Sequence, residues 1–315
     1  MKGLKIYLSF YLGKDKKGII YSTLTNILDK GGVVNMCTSL KYRNCMGRNY
    51  DYEQSFNEEV RIIDEGEFEN KYKIIGVATG FIKDFPLLYD GMNQHGLCIS
   101  GLAFAGNAKY FDDEEGKNNI PSFRLPLEIL GQFKNVDEAE KHLNSANITN
   151  EAYSPQFPPS DMHWLICDKE RAIIIESTAQ GLNIYDAETG VLTNNPPYPD
   201  QLELAKSTLE MVGNKDDQIK YDSRGKETYG LLGDYTSFSR FSRLSYLKEQ
   251  LENSENSFDN ANQTFHLLSS VEQIYGLTHV EDKFEYTIYS IVYDMENLKV
   301  HYKTYDEFAV STYSF

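Results

Sequence analysis

The stretch Met36-Cys37-Thr38-Ser39-Leu40-Lys41-Tyr42-Arg43-Asn44-Cys45-Met46-Gly47-Arg48-Asn49-Tyr50-Asp51-Tyr52 decides how the rest of the chain is read. Alternation through Leu40, Tyr42 and Arg43, and again through Met46, Asn49 and Tyr50, predicts two short strands joined by a turn near Asn44. Such a hairpin brings Arg48 and Asp51 back beside Cys37. The commoner fate of a free cysteine in this setting is to fill space as a small apolar group. A cysteine that heads a chain has a further option. Its own α-amine, with an ordinary pKa of about 7.7–8.0, stands beside a thiol of about 8.5. The amine can take the thiol proton and later deliver it to a leaving nitrogen. If Met36 is a start codon, its removal leaves Cys37 as residue one. Arg48 would then favour the thiolate, and Asp51 would orient the amine and the arginine.

The order of motifs resembles that of the choloylglycine hydrolase and penicillin V acylase family, N-terminal nucleophile hydrolases that cut linear amide C–N bonds. Met36-Cys37-Thr38 followed by Gly47-Arg48-Asn49-Tyr50-Asp51-Tyr52 resembles the family's start. Asp90-Gly91-Met92-Asn93-Gln94-His95-Gly96-Leu97 resembles the segment before its oxyanion residue, and Met162-His163-Trp164-Leu165-Ile166 a core strand. Val191-Leu192-Thr193-Asn194-Asn195-Pro196 and Gly233-Asp234-Tyr235-Thr236-Ser237-Phe238-Ser239-Arg240-Phe241 resemble two later catalytic segments. Together they cover nearly everything from residue 37 onward.

The resemblance implies an α+β fold, the four-layer αββα sandwich of two antiparallel sheets between helix layers. It implies Cys37 as nucleophile, Arg48 and Asp51 as the early pair, Asn194 as side-chain oxyanion donor and Arg240 as the late arginine. Read from the residues alone, Asn194 would be a turn residue before Pro196, and Arg240 a surface cation at a helix start, where the dipole disfavours it. Gly101-Leu102-Ala103-Phe104 departs from the family pattern. Bile salt hydrolases resemble Gly-Leu-Asn-Phe there, and penicillin V acylases tend to carry Tyr at the Asn position. Ala103 keeps the backbone N–H used as second oxyanion donor but carries neither marker. The implied substrates are conjugated bile salts, then penicillin V, then N-acyl homoserine lactones. No cofactor is implied, and the working form is expected to be a homo-oligomer, a tetramer by resemblance. The opposing reading is an acyl-ligand-binding relative whose Cys37 never becomes terminal.

Composition limits the partners. The net charge is −16, and residues 1–36 hold six lysines against two aspartates, so the remainder carries −20. Such a surface repels nucleic acid and anionic membrane. It also repels anionic substrates, so a pocket for them needs local positive charge, for which Arg48 and Arg240 are the candidates. The four cysteines and six histidines show no metal-ligand spacing, and no apolar run approaches a membrane span. A cytoplasmic, metal-free enzyme is expected.

Residues 1–36 differ from the rest. The apolar run Ile6–Leu12, preceded by Lys2 and Lys5, hints at a signal peptide but is short and lacks a cleavage site. A propeptide is a second reading. The favoured third is that these residues are not translated, since Lys30-Gly31-Gly32 can be encoded by a purine-rich ribosome-binding sequence placed just before Met36. On any of the last two readings, residues 37–315 form one catalytic domain.

Downstream, Glu59–Ile63 and Lys71–Ala78 read as strands, and Leu87–Gly106 as a strand pair turning at Asn93–Gly96. A helix is expected around Leu125–Phe133, and another from Asn135, with Glu138 in capping-box position. Asp161–Cys167 and Arg171–Ser177 read as a buried pair, with Gly181–Tyr185 and Gly190–Thr193 continuing that sheet. Helices are expected at Gln201–Met211, Arg240–Leu251 and Gln263–Gln273, and a closing hairpin at Phe284–Tyr293 and Leu298–Thr304. Strands and helices come in blocks, which predicts antiparallel sheets covered by helices.

Overall fold

The computed structural model describes residues 36–79, 85–155, 157–213, 224–255, 257–280 and 282–315. The expectations placed on residues 1–35 lie outside them. The strands are β1 (Thr38–Tyr42), β2 (Cys45–Tyr52), β3 (Glu58–Ile63), β4 (Ile74–Thr79), β5 (Leu88–Asn93), β6 (Cys98–Ala103), β7 (Asn118–Pro121), β8 (Ala146–Thr149), β9 (Met162–Cys167), β10 (Ala172–Thr178), β11 (Gly181–Asp186), β12 (Val191–Leu192), β13 (Thr278–Val280), β14 (Lys283–Asp294), β15 (Lys299–Thr304) and β16 (Ser311–Ser314). The helices are α1 (Leu125–Gln132), α2 (Val136–Leu143), α3 (Tyr198–Leu209), α4 (Ser237–Glu252) and α5 (Asn260–Ser269).

The first sheet runs β12-β1-β2-β14-β15-β16, with β13 on β14; the second runs β11-β10-β9-β6-β5-β4-β3. All pairs in both are antiparallel, and a short parallel ribbon, β7 with β8, stands apart. One apolar core lies between the sheets and under α3–α5; another lies beneath α1 and α2 against the outer face of the second sheet. These are the four layers expected, helices–sheet–sheet–helices, in one α+β sandwich.

Local chemistry accounts for the elements that carry the site. The β1–β2 hairpin turns at Arg43 and Asn44, with Arg43 at φ 50°. Gly47 lies where α5 presses on β2: a Cβ there would meet the Thr264 methyl at 2.5 Å, closer than packing allows. Gly96 takes φ +83° in the turn between β5 and β6, a conformation that costs glycine little. Asn135 caps α2 by accepting the Glu138 N–H, but the Glu138 carboxylate reaches the N–H of Lys134, one residue before the cap. Helix α4 starts at Ser237, capped by Thr236, three residues earlier than the apolar spacing predicted. Strand β12 pairs with β1 in the first sheet and does not extend the β9–β11 sheet. Two residues of strand carry too little pattern to choose a partner.

A register shift in β14 between Thr287 and Tyr289 reverses which side its residues face. Thr287 and Glu285 turn toward the helices with Asp51, whereas Tyr289 and Tyr293 turn inward toward the second sheet. This bulge divides the polar surroundings of Cys37 into two groups.

Candidate active site

Cys37 stands one residue ahead of β1 and is 1% exposed. The register Thr38↔Asn49 continues to Cys37 opposite Tyr50. Side chains alternate across a strand, so Cys37 points inward with Arg48, while Thr38, Asn49 and Asp51 point to the helices.

On the inward side, Arg48 Nη1 donates to Asp90 Oδ2 at 2.6 Å and to the Tyr89 carbonyl at 2.7 Å. Its Nη2 donates to the Gly101 carbonyl at 2.7 Å and faces Cys37 Sγ at 3.7 Å. Asp90 is held in turn by the hydroxyls of Tyr289 and Tyr293. Burial opposes the guanidinium charge, but the oxygens of Tyr289 and Asp90 outweigh it and hold Arg48 firmly protonated.

On the helix side, Arg240 is fully buried in the first turn of α4. Its Nη1 donates to the Cys37 carbonyl at 2.6 Å and to Thr38 Oγ1; its Nη2 donates to Asn194 Oδ1 at 2.8 Å. Burial lowers the Arg240 pKa, opposed by Asp51 and Cys37. The Asn194 amide, fixed by its oxygen, donates from Nδ2 to the Ala103 carbonyl at 2.9 Å. The Asn194 backbone is clamped as well, its N–H donating to Ser237 Oγ at 2.9 Å and its carbonyl accepting from Gln201 Nε2 at 2.5 Å. The Phe104 N–H donates to the Asp161 carbonyl across the β6–β9 ladder. In an antiparallel pair the next residue therefore turns its N–H and C=O the other way. At Ala103 that direction is toward Asn194.

Asp51 accepts from Thr287 Oγ1 at 2.6 Å and from Gln273 Nε2 at 3.3 Å. Burial, partly offset by Arg240, pushes its carboxyl up to about 6. The Met36 N–H donates to the buried Glu285 carboxylate.

The fold thus brings together all six positions singled out in the sequence: Cys37, Arg48, Asp51, Ala103, Asn194 and Arg240. Arg48 pulls the Cys37 thiol pKa down, as expected, but with residue 36 attached burial outweighs it and the net shift is upward. One expectation is corrected: Arg48 and Arg240 are not receptors for an anionic substrate, because both are buried with their charge directed at protein oxygens.

Several contributors were not assigned from sequence. Asp90 lies in a quoted motif, but nothing in its spacing says that it anchors Arg48. His163 Nε2 donates to the Thr193 carbonyl at 2.7 Å, next to Asn194, and its Nδ1 meets Glu176 Oε1 at 3.1 Å. The Thr193 carbonyl can only accept, so Nε2 carries a hydrogen. An apolar cavity of about 160 Å³ lined by Leu88, Phe123, Tyr153, Phe157 and Met162 shares Tyr89 and Gly101 with the Arg48 cluster. Among the described residues no helix is long and apolar enough to cross a membrane, and no cluster of His, Cys, Asp and Glu could hold a metal ion.

Comparison with known proteins agrees with this geometry. The chain is 40% identical to a bile salt hydrolase/transferase of Lactiplantibacillus plantarum, over 89% of this chain and 92% of the relative. It superposes on a crystal structure of conjugated bile acid hydrolase from Clostridium perfringens with a TM-score of 0.81 at 29% identity, covering 89% of this chain and 92% of that one. Penicillin V acylase from Agrobacterium tumefaciens shares the fold at a TM-score of 0.64 and 18% identity, covering 88% of this chain and 84% of that one. The family model described as linear amide C–N hydrolases, choloylglycine hydrolase family, matches residues 36–315. The chain belongs to that family of amide hydrolases.

Proposed function

We propose that this chain, with Cys37 as its first residue, hydrolyses conjugated bile salts through a thioester acyl-enzyme. The Cys37 sulfur attacks the amide carbonyl while the α-amine takes the thiol proton. The C–N bond breaks as that proton passes to the leaving nitrogen, and water then cleaves the thioester. Asn194 Nδ2 has two hydrogens, of which one is engaged by the Ala103 carbonyl; the other serves the oxyanion, together with the Ala103 N–H. Arg240 fixes the Asn194 amide, and Arg48 steadies the sulfur.

The observation that carries this reading is convergence: Arg48 of β2 faces the Cys37 sulfur and Arg240 of α4 holds the Cys37 carbonyl, while Arg48 and Asn194 tie these groups to Gly101 and Ala103 of the second sheet. The bile salt preference is supported by 40% identity to a bile salt hydrolase/transferase, and, among superposed structures, by 29% identity to a conjugated bile acid hydrolase against 18% to a penicillin V acylase. The start of the family match at residue 36 supports residues 1–36 being absent from the working enzyme. Four free buried thiols fit a reducing compartment, the cytoplasm. Exposed Phe308 and Val310 beside the edge strand β16 favour a homo-oligomer.

The test is protein produced from Met36, checked by N-terminal sequencing and incubated with glycocholate, penicillin V and an N-acyl homoserine lactone. Released glycine, with little 6-aminopenicillanic acid or homoserine lactone, is the expected result. Absence of glycine where another product appears overturns the substrate, and turnover by a Cys37→Ala variant overturns the nucleophile. Turnover by a chain that begins at Met1 overturns the need for a terminal cysteine.

A further inference from the structure

One buried carboxylate beside Cys37 has no part in the mechanism above. Glu285 lies on β14, 2% exposed, on the helix side that the bulge gives to Asp51 and Thr287. It accepts the N–H of Met36. One residue of chain spans at most about 3.6 Å, so this carboxylate stands within one residue's reach of the Cys37 nitrogen.

Charge balance makes this placement informative. Arg48 is paired with Asp90 at 2.6 Å. Arg240 has Asp51 as the largest attraction opposing its burial. Arg48 thus has Asp90 as its carboxylate and Arg240 draws more on Asp51 than on Glu285, so among the described residues Glu285 has no cation within hydrogen-bonding distance. An unpaired buried charge is costly, so such a group is expected to have a partner in the working state. With residue 36 attached, the partner is only a neutral amide. Burial then pushes Glu285 up to about 8, with Asp51 and Glu53 adding to the rise and the Met36 N–H and Arg240 opposing it.

We propose that Glu285 is the counter-ion of the α-ammonium of mature Cys37, a positioning residue that holds the amine where it exchanges protons with the sulfur and raises its proton affinity. The inference rests on the amidase reading, because it needs Cys37 to be terminal. When the thiol proton moves to the amine, an ammonium appears between two buried arginines, and Glu285 offsets it. Without that carboxylate the ammonium is destabilised and the amine becomes a weaker base.

The variants are Glu285→Gln, which keeps the shape and removes the charge, and Glu285→Asp, which keeps the charge. Both are made in protein verified to begin at Cys37. The first measurement is the pH profile of kcat/KM on glycocholate. In Glu285→Gln the acid limb should move down by about one unit and the plateau should fall about 10-fold. In Glu285→Asp the limb should stay near its original place. The second measurement needs no turnover: nitrogen NMR titration of cysteine-labelled protein should show the α-amine pKa falling by about one unit in Glu285→Gln. An unmoved amine pKa, or a rate that falls equally at every pH, overturns the role of Glu285. An inactive parent protein would count against the amidase reading instead, and the titration still decides the counter-ion.

Discussion

Cys37 and the Cys98–Cys167 pair belong to the same core between the sheets, yet their surroundings differ in kind. Cys98 and Cys167 face one another across β6 and β9, and burial together with Cys167 pushes the Cys98 thiol well above its ordinary value. Among the described residues no guanidinium hydrogen bond to either sulfur is found. Cys37 is as deeply buried, but an Arg48 Nη2 stands 3.7 Å from its sulfur and Arg240 grips its carbonyl. Burial alone makes a thiol inert. What distinguishes Cys37 is therefore the cations beside it and its place ahead of β1, and the proposed nucleophile rests on that difference. The largest expected effect tests that contrast. Replacing Cys37 by Ala should lower hydrolysis about 10⁴-fold or more, measured as glycine released from glycocholate. In the native protein a thiol-reactive acylating probe should add one label, at Cys37, while a chain retaining residue 36 should take up none.

The two arginines are expected to fail in different ways. Arg48→Ala leaves Asp90 charged and buried with only two tyrosine hydroxyls, so the fold should lose about 3–5 kcal/mol in denaturant titration as well as activity. Asn194→Ala removes a neutral amide that donates one hydrogen bond and accepts another. Its cost should fall mainly on kcat, about 10²–10³-fold, with KM little changed. If Asn194→Ala raised KM alone, the amide would be binding substrate and not stabilising the oxyanion.

Much of this arrangement was legible because local rules and the fold agree. The β1–β2 hairpin follows from alternation and a turn at Asn44, and the closing β14–β15 hairpin from the same pattern. The helix that carries Arg240 was legible too, though its start was not: Thr236 caps it from a polar stretch without apolar period. Glu285 was not legible. In Phe284-Glu285-Tyr286-Thr287-Ile288-Tyr289 simple alternation places Glu285 on the same face as Tyr289, and only the bulge separates them. The upward shift of the Cys37 thiol was hidden for a related reason. Sequence shows that Arg48 is near but not how completely water is excluded, and that exclusion decides the sign. Strands β13 and β16 were missed because three or four partly or fully exposed residues give no hydrophobic alternation to read.

The smallest effect is expected at the other end of the comparison. Cys167→Ala removes one buried sulfur from a site packed by Cys98 and other core side chains, leaving a void smaller than a methylene pair. A loss of about 1 kcal/mol is expected, because the transfer and cavity contributions scale with the few atoms deleted. Turnover should stay within about 2-fold of the parent, and the count of native-state labels should remain one. The measurement is a denaturant midpoint beside a glycine-release assay on the same preparation. A Cys167→Ala protein that kept its midpoint but lost turnover would mean that the two ends of the core are coupled. The contrast between a reactive and an inert thiol would then lie in the sheet as a whole and not in the two arginines at Cys37.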